Sequence, residues 1–259
     1  MTLLKLIKGL MPVGLISVLP STTFAAANLQ ADDVVGVSFW LISMAMMAAT
    51  VFFLWETQNV SGKWKTSLNV IALVTFIAAV HYFYMRDVWI STGETPTVYR
   101  YIDWLLTVPL QMIEFYLILA AIGVASIGIF WRLLVGTLIM LVAGYMGEAG
   151  ILISPTVGFV IGMAGWFYIL YEIFAGEAGK AAANEASAAV QSSFNAMRLI
   201  VTVGWAIYPI GYVLGYFVYS DGSATEALNV VYNLADLVNK LAFGLVIWAA
   251  ATSESKATS

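Results

Sequence analysis

Arg100, Asp103, Thr107, Gln111 and Glu114 recur at intervals of three or four residues in the stretch RYIDWLLTVPLQMIE. At about 3.6 residues per turn, that spacing puts all five side chains along one face of a helix. A charge at the centre of a bilayer costs roughly 3 kcal/mol or more unless it is paired, so an arginine and two carboxylates in an apolar run need a reason to be there. Asp103 and Glu114 would stand about 16 Å apart along the axis, at about 1.5 Å per residue, as one wall of a polar path. Much later in the chain, Asp236 and Lys240 lie four residues apart and share another helix face. A lysine in a low-dielectric setting releases its proton readily, and a neutral amine condenses with an aldehyde to form a Schiff base. Such a linkage, once protonated, is a cation that two aspartates can balance. The same four groups, Arg100, Asp103, Asp236 and Lys240, would also make a buried structural ion-pair network, and spacing alone does not separate the two.

Glu114 has no basic residue near it in its own segment. Burial favours its neutral acid form, which suits either a proton donor or a lone carboxyl bonded to a neighbouring helix. His81 is the single histidine; imidazole titrates near neutrality, so it either tunes an adjacent aspartate or simply packs.

The elements that must carry these residues are membrane spans. The chain of 259 residues is 61% hydrophobic and 10% charged, whereas a soluble domain is about a quarter charged. Seven segments are long enough to cross about 30 Å of hydrocarbon: residues 34–55, 67–86, 97–119, 130–146, 156–174, 194–219 and 226–250. The expected fold is an all-α, seven-transmembrane-helix bundle over residues 28–252, followed by a tail at 253–259. Residues 1–27 carry Lys5 and Lys8, an apolar run and small residues at Ala25, Ala26 and Ala27, the order of a cleaved signal peptide. Lys63, Lys65, Arg132, Lys180, Arg198 and Lys256 fall on one side. Asp32, Asp33, Asp87, Glu94, Glu148, Asp221 and Glu226 fall on the other, with Arg86 as the exception. Basic residues stay inside, which places the N-terminus outside and the C-terminus in the cytoplasm. Lys240 is then near mid-membrane, with Asp236 and Asp103 one level outward and Glu114 inward.

Residues 175–193 read as an alanine-rich connector that extends its neighbouring helices. Trp55, Trp64, Trp89 and Tyr219 read as interfacial anchors, and Trp104, Trp205 and Tyr208 as filling between helices. Pro109 and Pro209 are expected to kink the third and sixth segments. The absence of cysteine excludes disulfides and thiolate chemistry, a single histidine disfavours a metal site, and no basic run suggests nucleic acid.

The strings RYIDWLLTVPLQMIEFYLIL at 100–119, WAIYP at 205–209 and DLVNK at 236–240, with His81 and Trp40, resemble the microbial (type 1) rhodopsins over essentially the whole chain, most closely their proteorhodopsin branch. The third-segment and lysine strings are specific; WAIYP is weaker. The resemblance implies a bundle with an internal pocket for all-trans retinal, bound covalently as a Schiff base to Lys240. It makes Asp103 the counterion and proton acceptor, Asp236 the second counterion, Glu114 the proton donor and Arg100 the organiser of an outer network. It further implies that His81 bonds to Asp103 and tunes its pKa, and that Trp40 meets the histidine of an adjacent protomer in a pentameric or hexameric ring. Trp104, Trp205, Tyr208, Pro209 and Phe159 would line the retinal pocket. Asp103, Thr107 and Glu114 form the third-segment set of outward proton pumps, and Gln111 occupies the position that gives the blue-absorbing type. The implied function is a light-driven outward proton pump, a transporter rather than an enzyme, in a bacterial inner membrane, with lipid and protons as its partners. The alternative is a sensory photoreceptor of the same fold that signals through a partner.

Overall fold

The computed structural model describes residues 29–257; the proposed signal peptide and its cleavage lie outside the described residues. Seven helical spans long and apolar enough to cross a membrane are present, and among the described residues there are no strands. They comprise α1 (Val34–Glu56), α2 (Trp64–Thr92), α3 (Thr97–Ala121), α4 (Ile127–Glu148), α5 (Pro155–Phe174), a composite sixth span and α9 (Thr225–Ala257). A short α6 (Glu177–Glu185) precedes the sixth span, which runs through α7 (Ala188–Leu199), a π segment (Ile200–Gly204), α8 (Ile207–Val213) and a second π segment (Leu214–Val218). Each span packs on the next, and α9 closes the ring against α1, α2 and α7.

Capping chemistry rather than hydropathy decides where these helices end. Asp33 caps α1 by accepting from Gly36 N at 2.8 Å, and the same oxygen accepts from Trp89 Nε1 at 3.0 Å, which fastens α1 to the end of α2. The second helix therefore continues past Arg86, which is itself buried, to Gly93. There the backbone turns left-handed at φ 70° and the amide returns to Trp89 O at 2.7 Å, a stop that glycine adopts without a steric penalty. Ser154 and Pro155 start α5, and Ser187 starts α7 six residues earlier than the expected 194. The 175–193 connector is thus a separate helix, α6, plus the first turn of α7. Trp64, expected at the interface, is buried in the main apolar cluster at the start of α2.

The bundle is inverted relative to a water-soluble protein. Leu41, Val160, Phe167 and Val238 face outward and are more than half exposed, while Arg100, Asp103, Thr107, Gln111 and Glu114 are all buried. This is the arrangement a hydrocarbon solvent selects. Pro109 sits inside a continuous α3. In the sixth span, where Pro209 lies, the helix is interrupted on both sides of the proline by π segments. Carbonyls in the first π segment are taken by side chains from other spans: Trp166 Nε1 donates to Val201 O at 3.1 Å and Asn239 Nδ2 to Gly204 O at 3.1 Å.

Helices α4 and α5 approach most closely through glycines. A Cβ on Gly165 would lie 2.7 Å from Met140 N and 2.9 Å from Gly136 O, and one on Gly158 would lie 2.6 Å from Gly147 Cα. These are backbone atoms that cannot rotate away, so close packing here requires glycine. Gly165→Ala is expected to destabilise the bundle by about 1–3 kcal/mol, the usual range for overpacking. Thermal unfolding followed by circular dichroism checks this, and a melting curve superimposable on the wild type would contradict it.

Candidate functional site

Lys240 lies midway along α9, with Asp236 one turn before it. Its Nζ is 2.6 Å from Asp103 Oδ2 on α3 and 2.9 Å from Asp236 Oδ2, and all three side chains are at most 3% exposed. The two carboxylates are not equivalent. Asp236 also accepts from Tyr82 Oη at 2.8 Å, from Tyr208 Oη at 2.5 Å and from Trp104 Nε1 at 3.2–3.3 Å. Asp103 accepts from Lys240 alone, and its Oδ1 is buried without a partner. Hydrogen bonds to an ionised carboxylate hold it in that form. Asp236 is therefore surrounded by donors, and Asp103 has an open oxygen.

A cavity beside Lys240 lies between α3, α4, α5, the sixth span and α9, walled by Trp104, Trp166, Trp205 and Tyr208, with Pro209, Phe159 and Gln111 also in its lining. Gly162 lines it as well, where a Cβ would come within 3.3 Å of Met140 O. Tyr101 and Tyr216 donate to the two oxygens of Glu148 at 2.9 and 3.1 Å. Glu148, two residues beyond the expected fourth segment 130–146, is the last residue of α4 and a cavity-lining group held by tyrosines.

Toward the N-terminal end of α3, Arg100 donates from Nη2 to Asn229 Oδ1 at 2.9 Å and Asn233 Oδ1 at 3.1 Å. Toward the other end, Glu114 is fully buried, and Ser67 of α2 is the polar group acting on it, although the two do not meet at hydrogen-bond geometry. Thr107 Oγ1 donates to Asp103 O at 2.9 Å. The hydrogen bond expected between His81 and Asp103 is not formed, because His81 Nδ1 engages Ile77 O, one turn back on its own helix, at 2.8 Å. Trp40 lies under the Arg86 guanidinium, with 5.1 Å to its ring centroid.

Tyr82, Glu148, Asn229 and Asn233 were not singled out from the sequence. The asparagines carried a readable signal: 229, 233, 236 and 240 recur at intervals of four, three and four, the same stripe logic that marks α3. Glu148 carried none, because the glycines around it read as a turn.

A ring of seven membrane helices that encloses a charge-paired lysine in the wall of an aromatic cavity defines a narrow class of protein. The chain belongs to the bacteriorhodopsin-like protein family, which it matches over residues 33–254. It is 56% identical to a blue-light absorbing proteorhodopsin of Gamma-proteobacterium Hot 75m4 over 249 residues, 96% of this chain and 98% of that one. It is also 56% identical to a green-light absorbing proteorhodopsin of an unknown prokaryotic organism, over 96% of this chain and 98% of the relative. Among solved structures, it resembles a blue light-absorbing proteorhodopsin from Med12, with 57% identity, a TM-score of 0.73 and coverage of 85% and 98% of the two chains. It also resembles xanthorhodopsin, described as a light-driven ion pump with dual chromophore, with 28% identity, a TM-score of 0.75 and coverage of 86% and 94%.

Proposed function

We propose that the protein is a light-driven outward proton pump of a bacterial inner membrane, with retinal joined covalently through Lys240 Nζ. The observation that carries this reading is the placement of Lys240 Nζ, in the wall of an aromatic cavity and within 3 Å of two carboxylates of unequal hydrogen bonding. The residues fit that group: the cavity is lined mainly by apolar and aromatic side chains and has one amine, Lys240, in its wall. When bound to Lys240, retinal would supply light absorption and a light-driven isomerisation.

The other steps belong to the chain. The proton on the Lys240 nitrogen passes to Asp103 through Oδ2, the oxygen it faces at 2.6 Å, while Asp236 keeps its tyrosine and tryptophan donors. Arg100 and its asparagines lie on the exit side of Asp103. Glu114, about 16 Å from Asp103 along α3 at about 1.5 Å per residue, refills the Lys240 nitrogen from the opposite side. The outward direction rests on Lys63, Lys65, Arg132, Lys180, Arg198 and Lys256, all near the end of the bundle where α9 terminates, which the positive-inside rule assigns to the cytoplasm. The ring-shaped homo-oligomer with Trp40 and His81 at its contacts belongs to the same proposal; both residues are partly exposed on one chain.

The decisive experiment is illumination of retinal-supplied cells in unbuffered medium. Acidification that disappears with a protonophore supports the pump. No acidification from a coloured protein would overturn it in favour of a photoreceptor. Glu114→Gln is expected to keep the colour and slow recovery of the dark pigment about 100-fold near neutral pH, the low end of the range for loss of a positioned acid. Flash photolysis with wild-type recovery would remove Glu114 as donor. Gln111 lies in the cavity lining, where an amide favours charge held near the Lys240 nitrogen over charge spread along the bound group, and this supports blue absorption. Gln111→Leu is expected to move the visible band to longer wavelength, and a stationary band would discard that role.

A further inference from the structure

Arg100 is 2% exposed, yet among the described residues no carboxylate forms an ion pair with it. A buried guanidinium in this position would ordinarily be met by an acid. Here both bonds from Nη2 go to neutral amide oxygens, at 2.9 Å to Asn229 and 3.1 Å to Asn233. The amides are themselves fixed from behind: Asn229 Nδ2 donates to Thr95 Oγ1 at 3.0 Å and to Thr225 O at 2.9 Å, and Asn233 Nδ2 donates to Ser38 Oγ at 2.9 Å. The rings of Phe39 and Tyr232 flank the guanidinium at 5.7 and 5.4 Å. An amide oxygen orients a cation without cancelling its charge. The assembly therefore keeps a full positive charge in the bundle and aims it at α9.

We propose that Asn229 and Asn233 are positioning residues that hold Arg100 toward α9 and thereby set how tightly Asp103 keeps its proton. The groups facing Asp103 are Lys240 and Asp236 from α9 and His81 and Tyr82 from α2, with Arg100 one turn earlier on its own helix. Asp103 bonds to Lys240 and not to Arg100, whose Nη2 is taken by the two asparagines. Asp103 Oδ1 and Arg100 Nε and Nη1 are all buried and without hydrogen-bond partners. With both amides removed, the guanidinium is free to turn along its own helix face toward Asp103 and favour the carboxylate.

The proposal rests on Asp103 being the acceptor, and a pH titration of the visible band in the retinal-loaded protein tests both. Asn229→Ala with Asn233→Ala is expected to lower the midpoint of the acid transition by about one pH unit, a tenfold change in proton binding. Asn233→Asp keeps a hydrogen bond to Arg100 but supplies the cancelling charge, and is expected to raise the midpoint; it serves equally if the double variant yields no pigment. Variants that titrate together with the wild type would overturn the clamp, as would a double variant shifted upward. A wild-type band with no acid transition would sink the acceptor assignment and the clamp with it, whereas a wild-type transition without a variant shift sinks the clamp alone.

Discussion

Lys240→Ala is expected to yield a protein that stays colourless when retinal is added, because no other amine in the cavity lining can take over the bond. The lysine is the one basic side chain lining the cavity, and it sits where two carboxylates meet. The same change removes the cation shared by Asp103 and Asp236, and breaking a buried pair from one side typically costs about 3–5 kcal/mol. Reduced thermal stability should therefore accompany the loss of colour. Asp236 retains its bonds from Tyr82, Tyr208 and Trp104, so the greater part of the strain falls on Asp103. Absorption spectra after reconstitution check the first consequence and thermal unfolding the second. A pigment that survives with its visible band intact would refute the assignment of Lys240.

Asp103→Asn is the second large effect. The amide preserves the shape of the site and a hydrogen-bond partner for Lys240, but it cannot take a proton. Light-driven acidification is expected to fall at least about 100-fold, the lower bound for removal of a positioned acid or base. The visible band should also shift to the red, because one of the two negative charges that stabilise positive charge at the Lys240 nitrogen is gone. Pumping close to the wild-type rate would transfer the acceptor role elsewhere. Asp236 is the obvious candidate in space, but its oxygens are already engaged by three neutral donors besides the lysine.

The polar stripe of α3 and the pair on α9 were legible in the sequence because helical geometry converts spacing into a shared face. All five stripe residues are buried, as their intervals required. The number and order of spans followed from hydropathy, as did the starts of α1 and α3 at 34 and 97, whereas the later end of α2 and the earlier start of α7 are set by local hydrogen bonds at Gly93 and Ser187. Residues whose meaning depends on partners far away in the chain stayed hidden. Tyr82 is a bystander until α9 brings Asp236 beside it, 154 positions later. Glu148 looks like a loop acid until Tyr101 and Tyr216 arrive from two other spans. His81 shows the opposite limit: family likeness supplied a partner, and its own helix supplied a nearer one.

The side chains that complete the first π segment, Trp166 and Asn239, also line the cavity. The sixth span therefore does not stand as an independent rod. Its backbone is riveted at Val201 and Gly204 to two walls of the chamber, and the rivets are the very surfaces a cavity occupant would press upon. Six continuous spans form a stiff barrel stave by stave, and the seventh member of the ring is jointed, with its joint fastened from inside. The joint lies where the backbone changes from α to π pitch and its carbonyls at Val201 and Gly204 are bonded by neighbouring side chains.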